Sequence, residues 1–363
     1  MDLVAAASEA GFDVYVAARC SNLQAEDQTG ITIIPLSWER PGSILGALFS
    51  VVPDVFRVMA VMARVKPSVV HNISLKPAIV GSIAALGCKA RVLNSINGFG
   101  FVFHARSLMA RMVQWGCRLV LKLSARLNGG RVILQNADDA SYVTMRIGLN
   151  ADQVRLIRGS GIDVALFRPE PEPPSPPVRF VILARLLKMK GIQVAVAAHV
   201  LLQQRGVDTE LVVCGAADPG NPSSIPESET KQWALVPGVT FRGQIDDVET
   251  VISESHVVLH PALGGEGLPR ALLEGAVLKR PLLATDVPGN REVVIQGETG
   301  LLVPSNDAEK LADAMEWLAT HPMEREQWGR AARQKVLDEF TSATVQAAHR
   351  ALYTEVQAGN NAS

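Results

Sequence analysis

Arg179-Phe-Val-Ile-Leu-Ala-Arg-Leu-Leu-Lys-Met-Lys-Gly191 passes from a short apolar run into a basic loop and then a glycine that opens a helical pattern. The apolar run at 180–183 reads as a buried strand. A strand end followed by basic residues and a helix start is where an open α/β sheet binds its ligand. Outward from this point, short apolar runs alternate with longer amphipathic segments. Strands are expected on one side at 12–18, 31–35, 69–71, 90–96, 131–135 and 154–157. On the other side they are expected at 179–183, 210–214, 239–242, 257–259, 281–284 and 300–303. This order predicts an α/β fold of two doubly wound, Rossmann-like parallel sheets facing a cleft.

At 363 residues, 48% apolar and 20% charged, the chain has the length of two ordinary globular domains. The seam is Glu170-Pro-Glu-Pro-Pro-Ser-Pro-Pro177, which can form neither helix nor central strand. The expected organisation is an N-terminal domain over 1–168, a linker over 169–178, a C-terminal domain over 179–340, and a last helix over 341–363 crossing back. Cys20, Cys88, Cys117 and Cys214 show no close pairing, which indicates neither a zinc site nor a disulfide framework and favours a reducing compartment. Residues 2–10 read as a helix ending at Gly11, whereas a doubly wound domain opens with a strand and a glycine-rich turn. The expectation is that the first strand of this domain is missing, through a start codon placed too late or a truncation.

Net charge is −1, but it is unevenly spread. Residues 1–169 carry 18 Lys and Arg against 11 Asp and Glu, and the remainder 17 against 25. Residues 51–150 alone hold 13 basic and 3 acidic residues, a field that attracts an anionic surface. Within them, 105–127 mixes apolar residues with Arg106, Arg111, Arg118, Lys122 and Arg126 and contains no acid. Such a helix lies on an anionic membrane, or packs its Leu and Val side on the sheet. No spanning helix is expected.

The chemistry concentrates in Glu266-Gly-Leu-Pro-Arg-Ala-Leu-Leu-Glu274. Pro269 suits the first helical position, so Gly267 and Leu268 would present N–H groups at the positive end of the helix dipole. Glu266 before the helix and Glu274 inside it offer hydroxyl acceptors on either side of a bound phosphate. Arg185 and Lys190 could neutralise a diphosphate leaving group. Gly215 and Gly243 follow the next strands at the same sheet edge, and Gly243 could let a base lie against the main chain. His71 and Lys76 are candidates for the acceptor side, a structural histidine being an equal reading of His71. His256 and His260 flank a strand with no third ligand nearby, and no metal site is read there.

Over about 65–355 these residues resemble the GT4 glycosyltransferases of GT-B fold, in particular the CapM-like group of cell-surface polysaccharide enzymes. The resemblance rests on Lys66-Pro-Ser-Val-Val-His71, Asn97-Gly-Phe-Gly-Phe-Val-Phe103, Leu134-Gln-Asn-Ala-Asp-Asp139 and Gly159-Ser-Gly-Ile-Asp163. It rests further on Ala184-Arg-Leu-Leu-Lys-Met-Lys-Gly191, the double-glutamate element and Ala284-Thr-Asp-Val-Pro-Gly289. It implies a retaining transfer from a nucleotide sugar, UDP-linked and N-acetylhexosamine by family habit, with no metal or other cofactor. It assigns Arg185 and Lys190 to the diphosphate, Glu274 to the ribose diol, Glu266 to the transferred sugar, and Gly267 and Leu268 to the β-phosphate side. The implied partners are a polyprenyl-diphosphate-linked saccharide and the inner face of the cytoplasmic membrane, with no nucleic acid. Asn97 departs from the family, many members of which have histidine there. Other readings are a nucleotide-sugar-binding scaffold without turnover, a truncated fragment, and, less well matched, a GT-B epimerase.

Overall fold

The computed structural model describes residues 2–19, 31–38, 44–99, 108–218, 220–221 and 223–361. Cys20, residues 100–103 of the Asn97 motif and 105–107 of the basic segment lie outside them. The chain forms two units, Met1–Gly161 with Ser342–Ser363, and Ile162–Thr341. Unit 1 contains α1 (Asp2–Glu9), β1 (Tyr15–Ala18), β2 (Thr32–Pro35), α2 (Ile44–Val65), β3 (Val69–Ile73), α3 (Leu75–Ala85) and β4 (Arg91–Ile96). It continues with α4 (Leu108–Leu127), β5 (Arg131–Leu134), α5 (Ala137–Tyr142) and β6 (Val154–Leu156). Unit 2 runs through β7 (Val178–Leu183), α6 (Ile192–Gln204), β8 (Thr209–Cys214), α7 (Glu227–Trp233), β9 (Val239–Gly243), α8 (Val248–Ser253) and β10 (Val257–His260). It ends with α9 (Arg270–Val277), β11 (Leu282–Thr285), α10 (Asn290–Val293), β12 (Gly300–Val303), α11 (Ala308–Thr320) and α12 (Pro322–Glu339). The last helix, α13 (Ser342–Asn361), belongs to unit 1.

Each expected strand is present, with ends shifted by at most three residues. In unit 2 the strands form one parallel sheet in the order β12-β11-β10-β7-β8-β9. β10 and β11 are buried throughout, as strands covered by helices on both faces must be. The order reverses between β7 and β10. Connections from β7 run one way and those from β10 the other, leaving a crevice at their C-terminal ends. Phe180 and Ile182 pack into one core layer with Ile192, Leu202 and Met315, while Val181 faces the other with Leu272 and Val277.

The proline-rich stretch is not a free linker. Arg280 is buried and donates to the carbonyls of Glu170 and Pro171 as well as to those of Ile252, Ser253, Ser255 and Leu278. Buried Arg325 holds the Glu172 carboxylate at 3.1 Å. His256 accepts from the Arg179 N–H at 3.0 Å and its other ring nitrogen lies 3.1 Å from the Pro173 carbonyl. Arg280 thus satisfies carbonyls that a run of prolines cannot pair with itself, Arg325 anchors the Glu172 carboxylate, and the stretch lies on unit 2.

In unit 1 the described strands form two parallel sheets, β1-β2 and β3-β4-β5-β6. α13 packs on α1, and Val345, Leu352, Tyr353 and Val356 join Ala6, Leu93, Ile133 and Ile157 in one core cluster. Tyr353 donates to or accepts from His71 Nδ1 at 2.6 Å.

Candidate functional site

β7 ends at Leu183, and the chain turns through Ala184–Leu187 and a 3-10 turn at Lys188–Lys190 before α6. Gly191 makes the turn possible: its φ is +69°, and a Cβ there would fall 1.9 Å from the Pro261 carbonyl. This close approach brings the loop after β7 against the loop after β10. The Leu263 N–H donates to Met189 O at 2.8 Å across the same junction. Lys190, expected at the phosphate, therefore meets Glu266: its Nζ bonds Glu266 Oε1. The other oxygen, Oε2, lies 2.8 Å from Nε2 of His260, the last residue of β10.

Lys190, Glu266 and His260 thus form a compact charge cluster at the reversal point of the sheet. Burial alone would raise the Glu266 pKa; the His260 ring and the Lys190 ammonium more than reverse this and hold it at about 2. The carboxylate is ionised, fixed at both oxygens, and suited to accept hydroxyl hydrogen bonds rather than to shuttle protons. His260 Nδ1 is buried without a partner among the described residues. In sequence, His260 is marked for this cluster only by its place at a strand end beside the switch point.

Arg185 is exposed and pairs with Asp218 at 2.8 Å, on the β8 side of the crevice. The Gly215 N–H donates to Gly243 O at 2.6 Å, so it is spent within the sheet edge, whereas a Cβ at Gly243 would meet nothing within 4 Å. Glu274 lies inside α9, its carboxylate bonded to Arg270 Nε at 2.8 Å. Burial raises its pKa, with Arg270 opposing. Pro269 is the residue before α9, with φ −73° and ψ 118°, rather than its first helical residue. The helix starts at Arg270, one position later than expected, because the Leu272 N–H already turns back to Pro269 O. Gly289, with φ +86°, lets the 285–289 loop reach this segment: a Cβ there would lie 1.8 Å from Gly267 O. Gly267 and Leu268 are thereby braced from behind.

The candidates in unit 1 sit differently. His71 is partly buried, and its two ring nitrogens meet Tyr353 Oη at 2.6 Å and Ser95 Oγ at 2.7 Å. Burial, and then His349, lower its pKa to about 3. These bonds tie α13 to the sheet, which is the structural reading of His71. Lys76 pairs with Asp54 at 2.8 Å and lies over the Trp38 ring. Asn97 is exposed and accepts from Gln135 at 3.1 Å. Among the described residues no group of three or more His, Cys, Asp or Glu side chains is placed to hold a metal ion.

Comparison with known proteins bears on the family and the fold. The chain is 23% identical to the capsular polysaccharide biosynthesis glycosyltransferase CapM of Staphylococcus aureus over 82% of its own length and 80% of that protein's. Sucrose-phosphate synthase from Thermosynechococcus elongatus superposes with a TM-score of 0.84 at 23% identity, covering 98% of this chain and 92% of that one. Anabaena HepE, solved with UDP and glucose, superposes with a TM-score of 0.71 at 17% identity, over 95% and 93% of the two chains. The profile described as glycosyl transferases group 1 matches residues 163–335, the whole of the unit 2 sheet, and the profile described as glycosyl transferase 4-like matches residues 1–125. With both halves matched in their order along the chain, the protein belongs to the group 1, GT4-type glycosyltransferases and has the GT-B fold.

Proposed function

We propose that the protein transfers one sugar, an N-acetylhexosamine, from a UDP donor to a polyprenyl-diphosphate-linked saccharide during cell-surface polysaccharide synthesis, with retention and without a metal. The observation that carries this reading is the Lys190–Glu266–His260 cluster at the switch point of the unit 2 sheet. Lys190 and Arg185 are the cations for the donor diphosphate, Glu274 the acceptor for the ribose diol, and Glu266 the anchor for hydroxyls of the transferred sugar. The space above Gly243 suits the base.

In this reading the acceptor hydroxyl attacks the anomeric carbon on the face from which the diphosphate departs. The bond to the β-phosphate oxygen breaks, and that oxygen takes the hydroxyl proton. Protein groups position the partners and stabilise the leaving charge. Glu266, held ionised at about 2, is a hydroxyl acceptor here and not the base. HepE's complex with UDP supports the choice of nucleotide, and CapM's role in capsular polysaccharide supports the pathway.

The acceptor is read as membrane-borne from one face of unit 1. Along α4, Leu108, Met112, Trp115, Leu119 and Leu123 are 37–75% exposed at helical spacing, while Ala110, Cys117 and Leu121 on the opposite side are buried. The helix thus has a second apolar stripe beyond the one it needs for packing, flanked by Arg111, Arg118 and Lys122. α2 carries another stripe, Phe49, Val52, Phe56 and Met59, and both helices pack on α3. No described helix is long and apolar enough to cross a membrane. An anionic bilayer, entered to interfacial depth on the inner face of the cytoplasmic membrane, is the partner we assign to this surface.

The test is a donor screen with a lipid-linked acceptor, reading UDP release with and without EDTA, with Glu266→Ala and Arg185→Ala alongside. Full activity in both variants overturns the site; loss of activity in EDTA overturns the metal-free mechanism. A nucleotide-sugar-binding protein without turnover is the second reading, favoured by Asn97, which is exposed and accepts from Gln135 where many family members carry a histidine. It is separated from the first by donor binding without UDP release.

A further inference from the structure

Both cations of the proposed donor site are held by a carboxylate. Lys190 bonds Glu266, and Arg185 Nη1 donates to Asp218 Oδ2 at 2.8 Å. These four charges cancel, so the crevice is balanced without an anion from solvent. The two pairs differ in how readily they open. Glu266 is bonded at its other oxygen by His260, and an ammonium has three donors, so Lys190 can take a phosphate oxygen while keeping Glu266. The Arg185 side chain is 58% exposed, against 16% for Lys190, and is free to swing.

Main-chain bonds before and after Asp218 put it beside Arg185. The Leu186 N–H donates to Ala216 O at 2.9 Å, the Lys188 N–H to Ser223 O at 2.8 Å and the Ile225 N–H to Leu186 O at 2.8 Å. The loop after β8 is thus clipped onto the loop after β7. Gly215 permits the approach, since a Cβ there would lie 1.8 Å from Ala184 O. Ser224 Oγ accepts from the Asp218 N–H at 3.1 Å and steadies the acid itself. An ion pair with one partner this open to water stabilises a fold little. Nor does the acid help an anion to bind, because a carboxylate beside a guanidinium lowers the positive potential there. What Asp218 supplies is a second partner for Arg185.

We propose that Asp218 is a positioning residue of the donor site: the resident anion of Arg185, displaced when a nucleoside diphosphate binds and reclaiming the guanidinium when the diphosphate product leaves. This rests on the reading of Arg185 as a diphosphate ligand. The exchange needs only the Arg185 side chain to move, since the Ala184 N–H is bonded to Cys214 O and the Leu186 N–H to Ala216 O. A phosphate takes a guanidinium fork through two parallel bonds, which favours the exchange while the donor is bound. Transfer leaves the diphosphate with one more ionisable oxygen and a stronger hold on both cations. The competing carboxylate offsets part of that hold, and so limits how long the product is retained.

Calorimetry with UDP and with pyrophosphate tests this on the parent, Asp218→Asn, Asp218→Ser, Arg185→Ala and the double variant Asp218→Asn with Arg185→Ala. Pyrophosphate makes the readout independent of the base. In both Asp218 variants the two ligands bind about three- to tenfold more tightly, and the gain grows as salt is lowered. Stopped-flow displacement places the gain in slower dissociation of UDP. Damage to the fold does not mimic a gain in affinity. In the Arg185→Ala background, Asp218→Asn changes UDP affinity by less than about twofold. Equal or weaker binding in both Asp218 variants overturns the proposal, because the acid then only orients Arg185. A full gain in the Arg185→Ala background overturns it as well, by reducing Asp218 to repulsion through space. Both of these outcomes leave the donor site as read. Parental UDP and pyrophosphate affinity in Arg185→Ala removes Arg185 from the diphosphate, and overturns that reading together with the proposal.

Discussion

Replacing Glu266 by Gln keeps the shape of the side chain and removes its charge, leaving Lys190 and His260 without their anion. The folded carboxyl is held at about 2 against an ordinary 4.5. Each unit of difference is about 1.36 kcal/mol, so the ionised form contributes about 3 kcal/mol to the stability of unit 2 at pH 7. Because the folded value lies below the unfolded one, this contribution is complete above pH 4.5 and is lost as pH falls through 2. At pH 3 about 1.4 kcal/mol of it remains, by the same linkage. Urea denaturation followed by the fluorescence of Trp233, Trp317 and Trp328, all in unit 2, with Trp38 and Trp115 of unit 1 replaced by Phe in both proteins, reads the difference between parent and variant at the two pH values. The expected difference shrinks by roughly 2 kcal/mol on going from pH 7 to pH 3. A gap below about 0.5 kcal/mol at pH 7, or one that does not shrink at pH 3, would refute the picture of a pinned carboxylate.

Four further outcomes follow from the same geometry. Gly289→Ala places a Cβ 1.8 Å from Gly267 O at a φ of +86°; it is expected to cost about 2–4 kcal/mol in denaturation and to weaken UDP binding in calorimetry. Arg280→Met leaves buried carbonyls of the proline-rich stretch unpaired and is expected to cost about 3–5 kcal/mol, with new protease sensitivity at residues 170–177. His71, lowered to about 3 by burial and His349, favours the folded state above pH 6.5 and loses that contribution as pH falls toward 3. A pH titration of unit 1 stability should therefore be flatter in His71→Asn. Trp115→Glu with Leu119→Glu should abolish flotation with anionic liposomes while leaving UDP binding unchanged; unaltered flotation argues against the α4 face.

The strands were legible because parallel strands covered on both faces are continuous apolar runs. Residues 257–259 and 281–284 carry that signal with no chain partner in view. What lay beyond the sequence were contacts set by distance along the chain. Lys190 and Glu266 stand 76 residues apart, and their meeting depends on Gly191 tolerating the Pro261 carbonyl. Residue type suggested a phosphate for Lys190 and a sugar for Glu266, but gave no sign that the two bond each other or that His260 completes the set. His71 looked accessible at a strand end until Tyr353, 282 residues later, occupied it. The prolines at 170–177 marked a seam by composition alone; Arg280 from the turn before β11 and Arg325 from α12 make it part of a packed surface.

The return of α13 to unit 1 sets an order on synthesis. A ribosome releases residues 162–341 as a contiguous stretch holding every strand of its own sheet, so unit 2 can close while the last helix is still being made. Unit 1 begins first and finishes last, since Val345, Leu352 and Tyr353 enter its core only when the C-terminus emerges. Shortening the chain by its final helix therefore damages the domain farthest from it in sequence, and unit 1 spends the whole of translation with that flank uncovered.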